Sequence, residues 1–109
     1  MYHTNWNESK QQREKGKLEY GEKLSKALIK FAPKDLRIIM FSGCDFKFSL
    51  RTLEAFLENW RGRTSLSIFT SDRDYGREEY MKIINKYKND KVIKGFNYSI
   101  YDPHYEMMK

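Results

Sequence analysis

Three short apolar runs alternate with three segments of helical periodicity, and this alternation constrains the fold more than any other feature of the chain. "LRIIMF" (Leu36 to Phe41), "SLSIFT" (Ser65 to Thr70) and "VIKGFNYSIY" (Val92 to Tyr101) have the length and the β-branched and aromatic content of strands. Ahead of the first run, Leu24, Ala27, Leu28 and Phe31 recur at i, i+3, i+4 and i+7 and stop at Pro33. Leu53, Phe56, Leu57 and Trp60 repeat the helical spacing between the first two runs, as do Tyr80, Ile83, Ile84 and Tyr87 between the last two. The order is α-β-α-β-α-β. Helical crossovers favour parallel pairing with right-handed connections. The expected fold is therefore a small single α/β domain, with a mostly parallel three-stranded sheet packed by helices.

Local signals refine this outline. The first run is nearly continuously apolar, which predicts a strand covered on both faces. Ser49 is a suitable N-cap for the second helix, with Phe48 and Leu53 at the spacing of a hydrophobic staple and Gly62 as its stop. Period-two alternation puts Phe96, Tyr98 and Ile100 on one face of the last strand, with Gly95 at a bulge. "ESKQQREKG" (Glu8 to Gly16) offers nothing apolar to bury, so residues 1–16 read as a polar arm or helix extension, and residues 17–109 as the domain.

At 109 residues the chain supports one core, which aromatics at 16% can fill well. The single Cys44 has no internal disulfide partner, the first residues do not read as a leader, and the longest apolar run falls well short of the ~20 residues that a bilayer requires. These features predict a soluble, reduced, cytoplasmic protein without a membrane partner. Lys and Arg outnumber Asp and Glu by 21 to 15, and the resulting +6 favours polyanions or acidic proteins as partners. The Lys, Asn, Tyr and Ile bias suits a chain encoded by an AT-rich phage or mobile element.

Ligands of open α/β sheets usually sit beyond the C-terminal ends of the strands, where "SGCDFKF", "TSDRDYG" and "DPHYE" are expected. Asp72 and Asp74 stand there one residue apart. Such carboxylates can meet a divalent cation such as Mg²⁺, or Ser71, Asp72 or Asp74 can cap the third helix, with Asp74, Glu78 and Glu79 favouring its dipole. The cap is the preferred reading. The D-x-D spacing resembles the acidic patch of Toprim domains, although those carry a glutamate after an earlier strand where this chain has Ser42.

His104 follows the last strand. Taken with "LRIIMFSG", "SLRTLEAFLENWRGRTSLSIF" and "NYSIYDPHYE", the order resembles one half of a phospholipase D-like nuclease domain. In that superfamily the histidine of a His-x-Lys motif attacks phosphate and the lysine binds it. The resemblance implies a phosphate role for His104, but Glu106 stands where the lysine would be, which reverses the charge offered to phosphate. It thus implies the fold of a degenerate, truncated half-domain rather than its chemistry. Cys44 reads as a small structural thiol and His3 as a terminal residue without a partner. No Walker, GxGxxG or zinc-ligand pattern is present, so no cofactor is expected, Mg²⁺ being the alternative.

Lys10, Arg13, Lys15 and Lys17 are interspersed with Glu8, Glu14, Glu19 and Glu22, which predicts a solvated mixed face rather than a nucleic-acid groove. The expectation is therefore a small non-enzymatic intracellular binding protein, a regulator or inhibitor of a macromolecular partner, with protein preferred to nucleic acid. Phe46, Lys47, Arg61 and Arg63 are its candidate contact surface, since aromatic and arginine side chains carry binding energy disproportionately. A metal-dependent nuclease or phosphotransfer enzyme built on Asp72 and Asp74 is one alternative, and a nucleic-acid-binding protein using its basic surface is another.

Overall fold

A computed structural model describes residues 5–43 and 45–98. It contains α1 (Asn5–Phe31), β1 (Ile38–Phe41), α2 (Leu50–Trp60), β2 (Leu66–Thr70), a 3-10 turn (Arg73–Gly76), α3 (Glu78–Asn89) and β3 (Ile93–Asn97). The strands form one wholly parallel sheet in the order β1-β2-β3. The α-β-α-β-α-β order and the parallel α/β architecture are those the sequence predicts.

Two of the helices are fixed by signals close to them in sequence. At the start of α2, the Ser49 hydroxyl accepts the Thr52 amide at 3.1 Å, and Leu53, Phe56, Leu57 and Trp60 are buried as expected. Gly62, at φ +85°, turns the chain away after Arg61. In α3, Tyr80, Ile84 and Tyr87 are buried and Ile83 is partly so. The helix ends in a Schellman motif, with Val92 N–H on the Tyr87 carbonyl and Lys91 N–H on that of Lys88. Lys91 adopts the left-handed conformation there, at φ 64°.

The bulge expected at Gly95 is present. Leu66 pairs with Ile93 and Ser67 with Gly95, leaving Lys94 as the extra residue of β3. Phe96 and Tyr98 pack on the core; Ile100 lies outside the described residues.

Two expectations fail. β1 is covered on one face only: Phe41 is buried, whereas Ile38 and Met40 are 55% and 51% exposed. The cause is topological. Two right-handed crossovers advancing the same way across the sheet leave both helices on one side of it. The registers put Ile39, Phe41, Leu66, Ile68 and Thr70 on that side, with Ile38, Met40, Ser67 and Phe69 on the other. α1 joins the same helical layer by packing on α2.

The predicted stripe of α1 is also rotated. Phe31 is 74% exposed and Ala27 is exposed, while Gly21 and Ser25 are buried and Leu24, Leu28, Ile29 and Ala32 pack on the core. A small residue is required at position 21. A Cβ there would stand 2.1 Å from the Lys47 carbonyl oxygen, because the loop after β1 lies on the helix and Lys47 N–H bonds the Lys17 carbonyl.

Candidate functional site

The C-terminal rim of the sheet, where chemistry was expected, is formed by residues 42–49 after β1 and 71–77 after β2. Asp72 caps a helix, but not α3. Its carboxylate accepts the Asp74 amide at 2.9 Å and starts the 3-10 turn, while α3 begins after Arg77 with no side-chain cap. Glu78 and Glu79 occupy the first turn of α3, as expected.

The cation that meets both carboxylates is the Lys47 ammonium, paired to Asp74 and 3.7 Å from Asp72. The Lys47 side chain is only 13% exposed. Its hydrogen bond holds the Asp74 carboxyl below the usual carboxylate range, against the opposing effect of partial burial. A divalent ion would have to displace this lysine, and no cluster of three metal-ligating side chains occurs among the described residues. Asp45 turns instead to the Ser42 amide, at 3.0 Å.

Beneath this pair the rim is filled with aromatic side chains. Phe46, expected at a contact surface, is buried: it stacks on Phe41 at 4.4 Å between ring centres and meets Phe48 and Tyr20 edge-on. The buried backbone of Phe48 is satisfied by two phenols. Its N–H donates to the Tyr75 oxygen at 2.8 Å, and its carbonyl accepts from the Tyr80 hydroxyl at 2.6 Å. Burial pushes the Tyr80 phenol up to about 12 and raises that of Tyr75 as well. Sequence reading missed this clamp. Its only sequence signals are Tyr75, alone among polar residues, and Tyr80, at the start of the apolar stripe of α3.

Arg61 and Arg63 are not near Phe46 and Lys47. They precede β2, at the N-terminal end of the parallel strands, so the four expected contact residues occupy opposite rims. Arg61 joins α2 to α3, pairing with Glu58 at 2.9 Å and Asp90 at 2.7 Å over the Tyr87 ring. The Tyr87 hydroxyl, then Arg61, lower the Glu58 carboxyl; burial, then that hydrogen bond, push the Tyr87 phenol up to about 12. Arg63 donates to the Ile29 carbonyl at 2.6 Å and covers the Trp60 ring. His3, Cys44 and His104 lie outside the described residues.

Two hollows open on this N-terminal rim, and they share Thr64. The first, of about 430 Å³, is lined by Lys30, Lys34 and Arg63; the second, of about 280 Å³, by Arg37 and Lys94 beside Ile38 and Ser67. Among the described residues neither has a carboxylate in its lining. The hollow on the C-terminal rim, of about 270 Å³, sets Lys47 and Arg77 against Glu14 and Glu79. The groove between α1 and α2 mixes Lys26 and Arg51 with Glu22.

Among the described residues no helix is long and apolar enough to cross a membrane. No family model matches the chain, and no curated protein or solved structure does so.

Proposed function

We propose that this is a small non-enzymatic binding protein, a regulator or inhibitor that holds a macromolecular partner at the N-terminal rim of its sheet. One observation carries the reading: among the described residues, Lys34, Arg37 and Lys94 make no ion pair or side-chain hydrogen bond, and the hollows they line contain no carboxylate. Charge without an internal counter-ion is available to a partner. At the C-terminal rim Lys47, Asp72 and Asp74 are already paired with one another, and the hollow beside them is lined by Glu14 and Glu79 as well as by Lys47 and Arg77.

The competing reading is a metal-dependent nuclease or phosphotransfer enzyme, motivated by the way Asp72 and Asp74 converge on one positive charge. Melting curves with and without Mg²⁺ or Mn²⁺, together with hydrolysis of bis(p-nitrophenyl) phosphate, separate the two. The binding reading expects no metal-dependent shift and no turnover. Turnover that disappears in Asp72→Asn, Asp74→Asn would establish the enzyme instead.

A further inference from the structure

Five cations converge on the two adjoining hollows of the N-terminal rim, and part of that charge has a structural explanation. α1 and α2 both end at this rim, so their unpaired carbonyls favour positive charge there. Arg63 takes the Ile29 carbonyl, and Lys30 lies in the last turn of α1 over the Phe31 ring. These two serve the helix ends. Lys34, Arg37 and Lys94 do not: they lie on the segment between α1 and β1 and on β3, beyond any helix. Lys94 is the residue inserted by the β3 bulge. Asp35 stands between Lys34 and Arg37 in the chain but lines neither hollow; like charges gathered in the lining cost Coulomb energy, which an anionic ligand relieves.

The lining identifies the anion more closely. Thr64, Ser65 and Ser67 add hydroxyls to the cations, and lysine, arginine, serine and threonine are the side chains that most often hold phosphate oxygens along a nucleic-acid backbone. Ile38 lines the second hollow and also begins the row Ile38, Met40 on the sheet face that no helix covers among the described residues, where Met40 is paired in register with Phe69. Cations at the rim therefore adjoin exposed apolar side chains, Ile38 and Met40, with Phe69 half-buried beside Met40. In a duplex the base faces are stacked inside and the apolar row gains nothing; in a single strand they are free.

We infer that the protein binds single-stranded nucleic acid, with phosphates in the cleft of Lys34, Arg37 and Lys94 and bases over Ile38, Met40 and Phe69. The inference rests on the binding reading above and supplies its partner. An acidic protein segment, the other polyanion of this size, would satisfy the cations but has no comparable use for lining hydroxyls beside the exposed Ile38 and Met40.

The test is fluorescence anisotropy with labelled oligouridine and oligothymidine of about 20 nucleotides, long enough for any single-strand site of this size. A mixed-sequence duplex and polyglutamate of equal charge serve as competitors, and salt is varied between about 50 and 200 mM. Both single strands should bind, distinguished by which of them the hydroxyls favour, and should resist both competitors. The variant Arg37→Ala, Lys94→Ala should weaken binding about tenfold or more, and should lower the slope of log affinity against log salt by about 1.4, at ~0.7 for each phosphate left without its cation. Arg37→Lys, Lys94→Arg should restore it. Met40→Ser should weaken binding without changing the slope. Arg73→Ala, Arg77→Ala removes the same charge from the other rim and should leave affinity within about twofold.

Equal weakening by the two alanine pairs would reduce the effect to net charge and overturn the inference. So would preference for the duplex, effective competition by polyglutamate, or no binding at low salt. In those cases the binding reading survives with a different partner. Cleavage of the oligonucleotide on a gel would instead remove the non-enzymatic reading itself.

Discussion

The two rims of the sheet use similar residues to opposite ends. At the C-terminal rim, Lys47 is largely buried between Asp72 and Asp74, and Phe46, Phe48, Tyr75 and Tyr80 fill the space beneath. At the N-terminal rim, Lys34, Arg37 and Lys94 border open hollows that no carboxylate lines among the described residues. The difference teaches that the location of a loop in an α/β fold does not assign its role. On the rim that ordinarily holds ligands, Lys47, Asp72 and Asp74 are committed to one another, and a committed charge contributes to folding rather than to recognition.

If the C-terminal rim is structural, substitutions there should act on stability. The largest effect is expected for Tyr75→Phe, which leaves the buried Phe48 amide without an acceptor and should cost about 2 kcal/mol, measured by urea unfolding. A cost below about 0.5 kcal/mol would mean that water reaches this amide, and that the rim is more open than its aromatic packing implies. Lys47→Met should follow, at about 1 to 2 kcal/mol, since one of its carboxylate partners is mostly buried and the other largely exposed.

The lysine variant also has a pH signature. The folded Asp74 carboxyl titrates below its ordinary value of 3.8, so its pairing with Lys47 stabilises fully above that pH and is lost as pH falls through the lowered value. In Lys47→Met the difference from the parent should shrink on acidification below about pH 4. A difference that stays constant far into acid, or one growing toward acid, would place the stabilisation elsewhere.

The smallest effect sharpens the other side. Lys91→Gly, at the left-handed residue that ends α3 near the N-terminal rim, should raise stability by about 1 kcal/mol through relief of backbone strain. It should leave oligonucleotide affinity unchanged, because Lys91 does not line either hollow.

Much of the fold was legible from local chemistry. Ser49 as a cap, Gly62 as a stop, the faces of α2 and α3 and the bulge at Gly95 each follow from signals within a few residues. The errors arose where the decision is made at a distance. An apolar run such as "LRIIMF" does not reveal whether one face or two will be covered; that depends on the side to which two later crossovers return. The contact line of α1 is carried in part by Gly21 and Ser25, which hydrophobic periodicity does not register. The candidate site failed for the same reason. Lys47 and the Asp pair, 25 and 27 residues apart in sequence, meet only because adjacent parallel strands bring their loops together. The cations of the N-terminal rim are inconspicuous in sequence, and only the bulge at Lys94 and the sheet register place them beside the uncovered face.

Backbone amide shift mapping by NMR during titration with oligouridine tests the contrast between the rims most directly. The account predicts perturbations concentrated at Lys34, Arg37 to Met40, Thr64 to Ser67 and Lys94, with residues 45–49 and 71–77 little changed. Perturbations concentrated at Lys47, Asp72 and Asp74 instead would contradict it, and would return the binding site to the rim where these three charges pair with one another.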